Sequence, residues 1–250
     1  MRRLLLLVIL SAASTATLEA QELFTRYAFH LDGRYLTSDD PRFNWSFVFG
    51  AETDVVDYGR GRATFRANYE AIAGEEFRRF DVNQGNYLLE GAASVRLRRV
   101  ELAAVWHHVS RHMSDRAKRF PIDWNQIAAR LLASATHGAW AVRSETDLRV
   151  TVTNAYVDYR WEVESSGGLR KPLSSRWAAI GFGNLRIVGV DGTRGRGTQV
   201  AGRAAAGVRL NGKAAAAELF AGVERRLDPY QLEFGTSSWF LAGFRVTSVP

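Results

Sequence analysis

Three of the chain's five histidines lie in one short stretch, together with serines and an aspartate. The stretch reads Trp106-His107-His108-Val109-Ser110-Arg111-His112-Met113-Ser114-Asp115. In a β-strand alternate side chains share a face, so His108, Ser110 and His112 form a row with about 7 Å between neighbours. Acyl transfer uses such a pair, with serine as the nucleophile and histidine as its base. Asp115 or Asp123 is a candidate to orient a histidine, and Arg111 is a candidate to bind a phosphate.

The same row also fits a polar rim without catalytic function, and the sequence alone leaves both interpretations open. A metal ion bound by His108 and His112 would need a third ligand that the sequence does not identify, so no metal site is predicted. The chain has no cysteine, which excludes thiolate metal sites, disulfides and cysteine nucleophiles. No glycine-rich stretch has the strand-then-helix setting of a nucleotide-binding loop, and no cofactor is predicted.

The charge of the chain points to an anionic partner. Its 33 basic and 26 acidic residues give a formal net charge of +7. The basic residues are mostly arginine, which binds phosphate in a bidentate manner, and they are spread along the chain without a dense block. This distribution favours outer-membrane lipid and phosphorylated lipopolysaccharide as partners, and it argues against nucleic acid. We expect a monomer.

The first twenty residues have the pattern of a secretory signal peptide. Arg2 and Arg3 precede an apolar run from Leu4 to Leu10, and small residues follow from Ser11 to Ala16. We expect cleavage after Ala20, with Ala16 as the alternative. We therefore expect residues 1–20 to be a signal peptide and residues 21–250 to be a single exported β domain.

Alternation with a period of two marks the strands of this domain. From Arg62 to Ala71 the odd positions are apolar and the even positions are polar, over the length of a tilted membrane-spanning strand. The side chains predicted to face outward are Phe65, Tyr69, Leu89, Ala93, Phe240 and Phe244. Those predicted to face a polar lumen are Arg66, Glu70, Glu90 and Arg96. Aromatic residues predicted to form interfacial girdles are Tyr58, Tyr87, Trp177 and Trp239.

The predicted fold is all-β, a closed antiparallel transmembrane β-barrel of about twelve strands, with ten as the alternative. Eleven strands follow from the alternation, and a twelfth at 120–132 is needed because bacterial single-chain barrels have an even number. That stretch also fits a helix with Asp123 as its N-cap. The eleven are 22–31, 43–57, 62–72, 86–97, 100–112, 137–146, 148–163, 174–188, 199–210, 213–225 and 234–247.

With both termini in the periplasm, this order of strands puts the His108–Ser110–His112 row at the outer end of its strand, facing lipid. A His-x-Ser pair on an outer-leaflet strand resembles the lipid A 3-O-deacylases, whose serine and histidine hydrolyse an acyl ester. The longer His-x-Ser-x-His-x-x-Asp pattern, followed by Trp124-Asn125, resembles an uncharacterised family of bacterial outer-membrane β-barrels known as a domain of unknown function. The first resemblance implies a serine-type esterase acting on lipid A.

Three functions are compatible with these features. The favoured hypothesis is a barrel of the Gram-negative outer membrane with a structural or narrow-pore role. The alternative is a lipid A-directed esterase built on the same barrel, which would use Ser110, His108, His112 and Asp115. A soluble periplasmic β-barrel or sandwich that binds a small ligand is a third hypothesis.

Overall fold

The computed structural model describes residues 21–114, 116–118 and 120–248. The predicted signal peptide, 1–20, lies outside the described residues, and so does Asp115. Within the described part of the chain, no helix is long and apolar enough to cross a membrane. The strands are β1 (Glu22–Leu36), β2 (Trp45–Asp57), β3 (Arg62–Gly74), β4 (Asp81–Leu97), β5 (Val100–His112), β6 (Asp123–His137), β7 (Trp140–Ala155), β8 (Tyr159–Pro172), β9 (Trp177–Val190), β10 (Gln199–Asn211), β11 (Ala215–Leu227) and β12 (Thr236–Ser248).

These twelve strands form one closed barrel in which each strand pairs with its neighbours in the sequence. β1 and β12 close the barrel, pairing antiparallel from His30 opposite Thr247 to Leu36 opposite Leu241. Closure removes the free edges that an open sheet would expose. The predicted twelve-stranded antiparallel barrel is confirmed, and the stretch that also fitted a helix contributes the strand β6.

The predicted boundary near residue 147 is wrong. The alternation predicts one strand that ends at 146 and a second that begins at 148, whereas β7 runs without interruption from Trp140 to Ala155. Asp147 lies inside this strand, where it accepts hydrogen bonds from Arg130 at 2.7 Å and from Arg149 at 2.5 Å. A turn at this position would expose the Asp147 carboxylate to solvent, whereas within β7 it is paired with arginines in the lumen. The next strand, β8, begins at Tyr159.

The predicted assignment of the two faces is confirmed. Phe240 is 69% exposed on the outside of the barrel, and Phe65 is also exposed there. Glu90 is only 2% exposed and lies in the lumen. Trp239, predicted as a girdle residue, is the exception, because it is 6% exposed and lies inside. The outward residues of β12 have even numbers, and parity therefore places Trp239 in the lumen.

Ion pairs fill much of the lumen. Arg66 pairs with Glu52 at 2.6 Å, Glu90 at 3.0 Å and Glu145 at 3.1 Å. Each charge buried between the barrel walls needs such a partner, because an unpaired one is costly to desolvate. An apolar cluster occupies another part of the interior, and its members are Leu36, Ala205, Phe220, Trp239 and Leu241.

The two ends of the barrel differ. Short turns at 58–61, 98–99, 138–139, 173–176 and 212–214 connect the strands at one end, and the segments at the other end include the longer loops 37–44, 113–122, 191–198 and 228–235. By the usual topology of such barrels, the end with the longer loops is the outer one. Loop 228–235 folds inward there, with Asp228, Tyr230 and Gln231 buried. Arg196 holds it by donating to Asp228 at 2.7 Å and to Asp158 at 2.8 Å.

Candidate functional site

The strand β5 presents the His108–Ser110–His112 row on the outside of the barrel. On this strand the even-numbered Leu102 and Trp106 are exposed, whereas the odd-numbered Val105 and His107 are buried. His108, Ser110 and His112 continue the outward series at the outer end of β5. The row therefore lies on the outer face of the barrel wall, as the alternation predicts.

Ser110 and His112 are in direct contact. Ser110 Oγ lies 3.0 Å from His112 Nε2, which is within hydrogen-bond distance. Side chains two residues apart on a strand reach each other only with favourable rotamers, and these two residues have them. The serine hydroxyl can donate its proton to this ring nitrogen, the first requirement for a serine nucleophile.

His108 is held by a residue of the neighbouring strand. Its Nδ1 lies 2.9 Å from Asn125 Oδ1, and Asn125 Nδ2 donates to Thr153 Oγ1 at 2.9 Å. Because an amide oxygen only accepts, this contact requires a proton on His108 Nδ1. Asn125 belongs to the motif of the family resemblance, but its contact with His108 is not predicted from the sequence, and Thr153 is not among the predicted site residues. Predicting the contact would have required the register of β5 with β6, which sets His108 opposite Asn125.

Aromatic rings surround the row on the outer surface. Trp106 stacks on His108 with ring centroids 6.0 Å apart, and Tyr87 meets His112 edge-on at 5.1 Å. Tyr87 also contacts Tyr69 at 4.7 Å, and Tyr69 contacts Phe49 at 5.3 Å. The site thus lies at one end of an aromatic series that crosses four strands. Such rings are characteristic of membrane interfaces.

The other predicted site residues are placed differently. Arg111 lies on the opposite face of β5, where its guanidinium is 5.2 Å from the Trp124 ring and donates to the Asp228 carbonyl at 3.0 Å. It is therefore directed away from Ser110. Asp115, the predicted orienting acid, lies outside the described residues. Asp123 stands opposite Ser110 in the pairing of β5 with β6.

A lysine supplies positive charge close to the row. Lys118, in loop 113–122, donates a hydrogen bond to the Arg111 carbonyl. Burial lowers the pKa of Lys118 below that of a free lysine, and the nearby Asp123 carboxylate opposes this shift. Lys118 is thus better placed than Arg111 to meet an anionic group at the outer rim.

The described residues contain no group of three or more histidine, aspartate and glutamate side chains that could hold a metal ion. His107, the third histidine of the stretch, faces the lumen and contacts Glu90 Oε1 through Nδ1 at 2.8 Å. The structure thus separates the three histidines, with His108 and His112 on the outside and His107 in the interior network.

Comparisons with known proteins show the fold. The sequence matches no protein-family model and no curated protein. LpxR from Salmonella typhimurium has a similar structure, with a TM-score of 0.52 and 8% identity, over 89% of this chain and 100% of that chain. An active-site mutant of outer membrane phospholipase A from Escherichia coli gives a TM-score of 0.55 at 12% identity, over 94% of this chain and 95% of that chain. This chain therefore has the fold of an outer-membrane β-barrel.

Proposed function

We propose that this barrel is a serine-type hydrolase that cleaves acyl esters of lipids in the outer leaflet of the outer membrane. The contact between Ser110 Oγ and His112 Nε2, at 3.0 Å, carries the proposal. A hydroxyl bound to the acceptor nitrogen of a neutral imidazole is in position to lose its proton while it attacks a carbonyl.

The reaction would proceed in two steps. As Ser110 Oγ bonds to the ester carbonyl carbon, His112 Nε2 accepts the hydroxyl proton. The ester C–O bond then breaks, and the leaving oxygen takes this proton from the imidazolium, which leaves an acyl-serine. Water, deprotonated by the same histidine, hydrolyses the acyl-serine, so that a fatty acid is released and Ser110 is regenerated.

The position of the row supports a lipid substrate. A site on the outside of the barrel is reached from the bilayer, and the aromatic series from Phe49 to Tyr87 leads along the surface to His112. Lys118 contacts the backbone of the row at Arg111 and would supply a positive charge for a phosphate. Lipid A and phospholipids both combine acyl esters with phosphate, and the similar fold of a phospholipase A adds support for such substrates. The resemblance of the His-x-Ser motif to lipid A deacylases makes lipid A our first choice.

The decisive experiment is lipid hydrolysis by the purified barrel. The protein is refolded in detergent and given lipid A or a phospholipid, and released fatty acids are measured. Wild type is expected to release them, and Ser110→Ala is expected to release none while it stays folded. Loss of one rim hydroxyl should change the free energy of unfolding by only about 1 kcal/mol. Absence of release by wild type from both lipids, or full activity of Ser110→Ala, would contradict the proposal.

A structural or narrow-pore role is the second candidate. It is supported by a polar cavity of 370 Å³ in the lumen, lined by charged side chains such as Arg149, Glu162 and Arg186. For a pore, conductance across a planar bilayer should be measurable with wild type and unaffected by Ser110→Ala. This role also rests on residence in the outer membrane, which we propose together with export through residues 1–20.

A further inference from the structure

The lumenal cavity carries more positive than negative charge. Its volume is 370 Å³, near the lower end of the range for small-molecule sites. Seven arginines and five carboxylates are among its described lining residues. Most of these arginines are accounted for by partners in the wall. Arg186, for example, donates to Glu162 at 2.7 Å, and Arg226 donates to Glu224 at 2.8 Å.

Arg203 is the exception. Within the described part of the chain it makes no ion pair and no side-chain hydrogen bond, and its Nε is buried without a partner. Its one side-chain contact of note is with the ring of Phe182, whose centroid lies 5.9 Å from the guanidinium carbon. A guanidinium with five donors is thus left unpaired beside a cavity.

The carboxylate that stands opposite Arg203 in the strand pairing pairs with other arginines. Glu224 stands directly opposite Arg203 in the pairing of β10 with β11. Its carboxylate is bound to Arg226 at 2.8 Å and lies 3.6 Å from Arg34. Asn184, opposite Arg203 on β9, donates its amide to Glu164 at 2.8 Å. Within the described residues the walls therefore give Arg203 no hydrogen-bonded or ion-paired carboxylate, and only the longer-range attraction of Glu224 and Asp32 acts on this half-buried charge. A charge in the interior without a close partner is costly.

We propose that the lumenal cavity is a binding site for a small oxyanion, a phosphate or a phosphate monoester, with Arg203 as its main ligand. The planar fork of arginine donates two parallel hydrogen bonds to such a group. The anion supplies the close hydrogen-bonding partner that no described wall carboxylate gives Arg203. This site is separate from the Ser110 row, which lies on the other side of the barrel wall.

The test is calorimetric titration of inorganic phosphate into the full-length barrel, refolded in detergent without phospholipid. Ionic strength is held constant with chloride. Wild type is expected to bind phosphate saturably, and Arg203→Gln to bind at least tenfold more weakly. The unfolding temperature in chloride should not fall in Arg203→Gln, because the variant removes a half-buried guanidinium that makes no ion pair within the described residues. In phosphate only wild type should gain stability.

Arg209→Gln is the matched control, since Arg209 lies on the same face of β10 but pairs with Glu218 at 2.7 Å and lies outside the cavity lining. This control should unfold at a lower temperature and still bind phosphate. The proposal is overturned if wild type does not bind phosphate or if Arg203→Gln binds it equally well. If Arg203→Gln does not fold, Arg203→Met, which also removes the charge, serves in its place, and unchanged affinity there would also overturn the assignment of Arg203.

A second arm replaces phosphate by the same concentration of a phosphate-bearing lipid in the micelle. No protection is expected, because the cavity lies inside the wall. Protection of both wild type and Arg203→Gln by the lipid alone would place anion binding on the outer face and overturn the lumenal site.

Discussion

His108 Nδ1 lies 2.9 Å from Asn125 Oδ1, and the two residues are direct cross-strand neighbours on β5 and β6. Asn125 in turn donates to Thr153 on β7, so three strands fix the orientation of one imidazole ring. Ser110 lies two residues from His108 and two from His112, and its hydroxyl is bound to His112. Ser110 is thus in contact with one histidine, His112, and lies two residues from a second, His108, whose ring orientation is fixed by Asn125.

The two histidines should contribute differently to ester hydrolysis. His112→Ala is expected to lower kcat for lipid ester hydrolysis by about 10²-fold or more, since it removes the base in contact with Ser110. His108→Ala should cost less. The measurement is fatty-acid release with matched amounts of folded variant. If His108→Ala loses all activity and His112→Ala retains it, the serine uses His108 as its base and our assignment of the base is wrong.

Asn125 should act only through His108. Asn125→Ala is therefore expected to reduce activity no more than His108→Ala, and the double variant should be no worse than His108→Ala alone, because residues in one hydrogen-bonded unit are not additive. Thr146→Ala is a suitable control, since Thr146 also joins an outward hydrogen-bonded pair, with Ser165 at 3.0 Å, but away from the row. Additive losses in the double variant would contradict this role for Asn125.

Charge substitutions on β4 should distinguish its two faces. Ala93→Arg places a cation on the lipid face and should cost about 2–4 kcal/mol near the middle of the bilayer. Alternation alone predicts that Glu90→Arg is tolerated, as a lumenal change. The structure predicts that it is not, because Glu90 accepts from Arg130 at 2.8 Å and pairs with Arg66 at 3.0 Å. Folding yield by gel mobility tests this, with Glu90→Gln as the milder control. Wild-type yield of Glu90→Arg would contradict the ion-pair account.

Release of loop 228–235 should open the outer mouth. Arg196→Ala leaves Asp158 and Asp228 facing each other without their shared cation and should cost about 3 kcal/mol. Conductance in planar bilayers should rise relative to wild type. Arg78→Ala is the control, because Arg78 is largely exposed and pairs with Asp81 outside the loop. Unchanged conductance of a stably folded Arg196→Ala would show that this loop does not close the lumen.

The sequence by itself determined the kind of fold, the approximate number of strands and which face of each strand is apolar. Alternation is local, since successive side chains of an extended backbone point to opposite sides, and it can be read without knowing any partner. This is why Phe65 and Glu90 were assigned correctly to opposite faces, and why His108, Ser110 and His112 were recognised as one outward row.

Only the tertiary structure decided which residues meet. Asn125 reaches His108 because of strand register, and Asp147 is part of a continuous strand because Arg130 and Arg149 neutralise it. Register and barrel closure join residues far apart in the chain, and no local pattern records them. The same long-range pairing binds Glu224 to Arg226 and leaves Arg203 without a partner, a difference between two lumenal arginines that alternation cannot show.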